Sequence, residues 1–181
     1  WKELTRRAPL VFWMPVQASP VHPGLVEVMK TANKVLVYSQ YGHKAAKRAG
    51  VKASYLPLAA GAAYEPGDRA AARAWLSAAL GIDLAERTVM GMVAANTPTQ
   101  PLDRKGFGAA LMALRYAVQL WEGDRKPLLY IHTIKGSQAG GMDLPWLAMA
   151  AEVEEYVAWM PDGLFFHGLS DSQMAQLYRA M

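Results

Sequence analysis

Arg104 and Lys105 close the segment Asn96-Thr97-Pro98-Thr99-Gln100-Pro101-Leu102-Asp103 and stand immediately before Gly106 and a long apolar run. A basic pair beside a helix N-terminus makes an anion site by two means: first-turn N–H groups and the helix dipole favour negative charge, and the side chains add donors suited to phosphate oxygens. The same charges would equally suit a solvated loop. No Gly-x-x-x-x-Gly-Lys-Ser/Thr or Gly-x-Gly-x-x-Gly run occurs, so P-loop and standard dinucleotide binding have no support.

The other residues with chemical potential are His22, His43, His132 and His167, and the acids Glu152, Glu154 and Glu155. No two histidines stand at metal-ligand spacing, so no metal is expected. His132 and His167 fall within or at the end of predicted strands, where a lone histidine is ordinarily a hydrogen-bonded core residue. His22, in a Pro-rich loop at a strand's carboxyl end, is the better candidate for acid–base chemistry. The three acids read as a wet face beside Tyr156 and Trp159, and no Gly-x-Ser-x-Gly elbow is present, so hydrolase chemistry is disfavoured. The absence of cysteine removes disulfides and thiolate nucleophiles.

Alternating strands and helices would position these residues. Apolar runs predict strands at 10–14, 34–39, 53–56, 87–95, 127–133 and 164–167, the first two buried on both faces. Helices are expected at 24–32, 41–49 closed by Gly50, 68–80 closed by Gly81, 106–121, 144–153 and 170–181 with Ser170 as N-cap. This alternation predicts an α/β fold with parallel sheets and right-handed crossovers, and ligands at the carboxyl ends of strands. The informative loops are then 15–23, 96–105 and 134–143. The Gly- and Ala-rich stretch 58–66 reads as a crossover between domains.

With 181 residues, 52% of them hydrophobic, the chain has ample material for a core, and it carries no low-complexity tract. Nineteen Lys and Arg against fifteen Asp and Glu leave a net charge of +4. Arg6, Arg7, Lys44, Lys47, Arg48, Arg104, Lys105 and Lys126 are scattered rather than striped, so no nucleic-acid partner is expected. No apolar run has the length of a signal-peptide core or a membrane span, and residue 1 is Trp, not an initiator Met. The expected location is the cytoplasm or its membrane surface, with residue 1 not the natural start.

In order along the chain, Val11-Phe12-Trp13-Met14-Pro15-Val16, Val37-Tyr38-Ser39-Gln40-Tyr41-Gly42, Gly91-Met92-Val93-Ala94-Ala95-Asn96 with Arg104-Lys105-Gly106, Leu129-Tyr130-Ile131-His132-Thr133 with Gly141-Met142-Asp143-Leu144, and Met174-Ala175-Gln176-Leu177-Tyr178-Arg179-Ala180 resemble the family 4 type of GT-B-fold glycosyltransferase. The resemblance implies Rossmann-like parallel sheets spanning parts of two domains: residues 1–65 the end of an acceptor-side domain, 66–86 a crossover, and 87–181 the first half of a donor-nucleotide domain. It implies a retaining transfer, of the hexosyltransferase type, from a UDP- or GDP-sugar to a sugar, lipid or protein acceptor, with no further cofactor and no metal. By the same carry-over, Lys105 with Arg104 contacts the donor diphosphate, Asn96 stands where many relatives carry arginine, and the turn of His167, Gly168 and Leu169 meets the nucleobase.

Two departures bear on catalysis. Where the family commonly has an Asp-His pair this chain has Gln17-Ala18-Ser19, and where it commonly has His-Gly-Val-Asp this chain has Leu58-Ala59-Ala60-Gly61. Either other residues serve, with His22 as the candidate, or the chain is a non-catalytic α/β binding or assembly module. The chain also ends before the family's Glu-containing donor motif and begins after its first Gly-rich loop, so self-association or the remainder of a longer protein is expected to complete it.

Overall fold

The structure, a computed structural model, describes residues 8–97, 103–137 and 140–181. Arg6 and Arg7, the 98–102 part of the expected anion loop, and residues 138–139 of the 134–143 loop lie outside the described residues. The chain divides into two compact units, Trp1–Ala60 and Gly61–Met181.

The first unit contains β1 (Val11–Met14), α1 (Pro23–Lys30), β2 (Lys34–Val37), α2 (Gln40–Arg48) and β3 (Ala53–Tyr55). Its sheet is parallel in the order β1-β2-β3. Consecutive right-handed crossovers that advance in one direction put both helices on the same face of the sheet. Val26 and Met29 of α1 and Ala45 and Ala46 of α2 accordingly form one core with Val35 and Val37, alternate residues of β2. Among the described residues of this unit no helix covers the opposite face. Strand β1 is therefore not buried on both faces as its apolar run suggests: Val11 is 53% and Trp13 54% exposed, with the Trp13 ring edge-on to Tyr38. An apolar run reports affinity for a core and carries no information about which strand ends at a sheet edge.

The second unit opens with a 3-10 turn at Ala62–Tyr64 and α3 (Arg69–Leu80), followed by β4 (Arg87–Val93), α4 (Phe107–Gln119), β5 (Lys126–His132), α5 (Leu144–Ala150), a 3-10 turn at Glu154–Tyr156, β6 (Val157–Trp159), α6 (Asp162–His167) and α7 (Asp171–Ala180). The sheet is again parallel, in the order β4-β5-β6. The crossover helices α4 and α5 pack on one face, where Phe107, Leu111, Leu114, Leu144 and Ala148 meet Leu129 and Ile131 of β5. Helices α3 and α7 cover the other face, where Ala72, Leu76 and Leu177 meet Leu128 and Tyr130. Covered on both sides, central β5 is buried from Pro127 to Ile131 without interruption. Helix α3, expected within a crossover at 66–86, thus belongs to this core. Arg179 of α7 ties the preceding segment to it by donating to the carbonyls of Ala63 at 2.7 Å and Glu65 at 2.6 Å.

The helix ends follow local chemistry. Asp68 accepts from Ala71 N–H at 3.0 Å to cap α3, whose other end closes at Gly81 in the left-handed region. Ser170 and Gln173 form a reciprocal capping box on α7.

Two expected elements differ. Residues 164–167 form the end of helix α6, not a strand, bounded by Pro161 and by Gly168 at φ +73°. The third strand of this sheet is Val157–Trp159, separate from the preceding helix and within the stretch 154–163 to which the sequence assigns no element. The separation is made by Glu152, a non-glycine residue at φ +57°. Glu152 N–H donates to Met149 carbonyl at 2.9 Å and Val153 N–H to Ala148 carbonyl at 3.0 Å, the pairing of a Schellman C-terminus. That turn stops α5 while the apolar pattern runs on.

Candidate functional site

Strands β4 and β5 are paired in register from Arg87 opposite Lys126 to Val93 opposite His132, so their carboxyl ends emerge side by side. Between the segments that follow lies an open cleft of about 540 Å³, lined by residues 93–97, Lys105, and His132, Thr133 and Ile134. This is where an open parallel α/β sheet leaves room for a ligand.

Asn96 organises that edge. Its backbone N–H donates to Thr133 Oγ1 at 2.9 Å, and its side-chain amide donates to the carbonyls of Ile134 at 3.0 Å and Met142 at 2.7 Å. Its Oδ1 accepts from Met142 N–H at 2.9 Å. With 6% of its surface exposed, Asn96 is committed to fastening the 134–142 segment to the strand ends. Its effect on a ligand is exerted through the shape of the cleft floor. Gly141 leaves the room this requires: a Cβ there would sit 2.6 Å from both the side chain and the backbone carbonyl of Asn96.

The N-terminus of α4 is already served by an internal carboxylate. Gly106, at φ +74°, precedes the first turn and offers no side-chain cap; Asp103 Oδ2 accepts from Gly108 N–H at 2.6 Å. This position, expected from sequence to attract an anion through its backbone N–H groups, therefore has a negative charge in place. What a ligand meets beyond it is Lys105, whose exposed side chain lines the cleft.

His132, read from sequence as a core residue, is half-buried, hydrogen-bonded and also part of the cleft wall. Its Nδ1 lies 3.0 Å from the hydroxyl of Tyr130. Burial pushes the imidazole below the ordinary histidine range, so at neutral pH the ring is uncharged. Burial likewise raises the Tyr130 hydroxyl to about 12, so it holds its proton. Among the described residues the cleft therefore presents one cation, Lys105, and one neutral ring able to donate or accept.

Of the sequence-selected residues, Asn96, Lys105 and His132 line the one cleft. Arg104 is exposed and is not among the residues lining the cleft. Gly168 is exposed with open space around its Cα, while Leu169 packs against the core on the α3 and α7 face; neither lines the cleft. His22 lies in the first unit, where its Nδ1 caps α1 by accepting from Gly24 N–H at 3.1 Å. His167 ends a helix rather than a strand. Glu152 pairs with Arg115 at 2.9 Å, and Glu154 and Glu155 are exposed, as a wet face requires. His132, read from sequence as a core residue, and Thr133, not considered there by itself, occupy the carboxyl end of β5, the position that marks both as candidates.

Among the described residues no three His, Asp or Glu side chains converge as metal ligands would, and no helix is long and apolar enough to cross a membrane. No protein-family model and no curated protein matches the chain.

Proposed function

We propose that the second unit is the opening half of a sugar-nucleotide-binding domain, and that the chain is part of a GT-B-type glycosyltransferase acting with retention. The observation that carries this reading is the placement of Lys105 on an open cleft at the carboxyl ends of parallel β4 and β5. A UDP- or GDP-sugar would lay its diphosphate against that ammonium group. As the glycosidic bond breaks, negative charge grows on the leaving nucleotide, so this contact strengthens in the transition state and lowers the barrier. Neutral His132 adds a hydrogen-bonding group without a competing charge, and Asn96 holds the floor of the cleft in shape. Arg104, one residue from Lys105 in the sequence, adds positive potential from outside the lining.

A second reading, a non-catalytic α/β binding or assembly module, is favoured by the first unit. There His22 is occupied as a helix cap and Gln17-Ala18-Ser19 carries no titratable group. Calorimetric titration of UDP and GDP into the wild-type chain and Lys105→Ala separates the two. Nucleotide binding that Lys105→Ala abolishes supports donor binding. No heat with either nucleotide in the wild type supports the module.

A further inference from the structure

At the opposite, amino-terminal end of β4 and β5 a second groove, about 370 Å³ in volume, is lined by Arg69, Ala70, Arg73, Arg87, Thr88, Val89 and Arg125. Four guanidinium groups reach it from three places far apart in the sequence: the first turns of α3, the start of β4, and the residue before β5. Among the described residues no carboxylate lines it. None of the four arginines pairs with an Asp or Glu side chain among the described residues, where the pairs are Lys30 with Glu27 and Arg115 with Glu152. Like charges gathered with no side-chain carboxylate between them repel one another, at a cost that a bound anion would relieve.

Two of the four are already held in place. Arg69 donates to the Met181 carbonyl at 2.7 Å. Arg73 donates to the carbonyls of Arg87 at 2.7 Å and Ala180 at 3.3 Å, and also to that of Leu84. A guanidinium fixed in this way loses little further freedom when it takes a ligand. Among the described residues the Arg87 and Arg125 side chains make no such bond, which leaves them able to close on one. The first turn of twelve-residue α3 adds the positive end of its dipole beside Arg69 and Ala70. Arg73 is pushed below the ordinary arginine range, first by burial and then by the charges of Arg69 and Arg125, which places those charges within mutual reach.

We propose that this groove is a phosphate-binding site, separate from the Lys105 cleft, that takes the dianionic phosphate of a small phosphorylated molecule. Planar guanidinium forks match phosphate oxygens pairwise, and several forks suit a dianion better than a single carboxylate. Among the described residues no aromatic side chain lines the groove to stack a base, which sets it apart from a nucleic-acid channel.

The test uses inorganic phosphate at pH 8, titrated calorimetrically at constant ionic strength into the wild-type chain, Arg87→Gln/Arg125→Gln, Lys105→Ala and, as a charge control in the first unit, Lys47→Gln. The double variant alters only guanidiniums that make no side-chain bond among the described residues, and its melting temperature verifies that it folds. Saturable binding, weakened about tenfold or more in the double variant as expected for two charge-assisted contacts, and unchanged in Lys105→Ala and Lys47→Gln, supports the site. Sedimentation with phosphatidylcholine vesicles with and without phosphatidic acid then identifies the source of the phosphate. Binding only to the acidic vesicles, lost in the double variant, makes it a lipid headgroup; no vesicle binding makes it a soluble phosphate ester. Absence of saturable phosphate binding in the wild type, or equal binding in the double variant, overturns the proposal.

Discussion

Replacing Asn96 with alanine removes three side-chain hydrogen bonds, to Ile134 carbonyl at 3.0 Å and to Met142 carbonyl and N–H at 2.7 and 2.9 Å. Residues 134 and 142 are half-buried, so water can replace part of what is lost. Taking about 1 kcal/mol net for each bond and allowing for that replacement gives a destabilisation of about 2–3 kcal/mol. In a unit of this size that lowers the melting temperature by roughly 8–12 °C. Asn96→Asp sharpens the test, because it keeps an acceptor for Met142 N–H but points a second anionic oxygen at two carbonyls. It should be less stable than Asn96→Ala at pH 8 and recover part of the difference as acid protonates the carboxyl group. Thermal denaturation followed by circular dichroism measures both variants, and amide exchange at Met142 locates the effect. An Asn96→Ala chain that melts within about 2 °C of wild type, a loss of roughly 0.5 kcal/mol at most, refutes the clamp.

Gly141→Ala should act on the same clamp from the opposite side: a Cβ 2.6 Å from the Asn96 backbone carbonyl forces the loop to shift, at about 1–3 kcal/mol, seen as a lower midpoint in denaturant. For His132, burial lowers the folded-state pKa below that of the unfolded chain, so the unfolded state takes up more protons as pH falls from the ordinary histidine value of about 6.5. Its contribution to stability is complete above that pH and is lost on the acid side; the acid-side fall in melting temperature should be shallower in His132→Gln, and an unchanged slope contradicts the assignment. At Glu152, with φ +57°, glycine should exceed alanine in stability by about 1 kcal/mol, since both substitutions lose the exposed pair with Arg115 and only glycine relieves the left-handed backbone. The reverse order by denaturant midpoint contradicts that reading.

Features decided within a few residues were legible in the sequence. Asp68 with Gly81, and Ser170 as N-cap, bound their helices as expected, and the apolar run that begins at Pro127 does form a strand. Features decided by distant partners were not. Asn96 is defined by carbonyls 38 and 46 positions away, and the groove of Arg69, Arg73, Arg87 and Arg125 exists only once α3 and two strands are in place. Between these extremes, Asp103 reaches Gly108 across a turn and takes up donors that the sequence offers to a ligand. Strand β6 escaped notice because it has three residues, too few for an alternation.

The central claim, that the cleft beside Lys105 receives a nucleoside diphosphate, is tested most directly by mapping backbone amide shifts of the wild-type chain during titration with UDP and with GDP. The account predicts that one of them produces saturable changes concentrated at residues 94–97, at Lys105 and at residues 132–134. Changes confined to the groove of Arg87 and Arg125, or no saturable change with either nucleotide, contradict it.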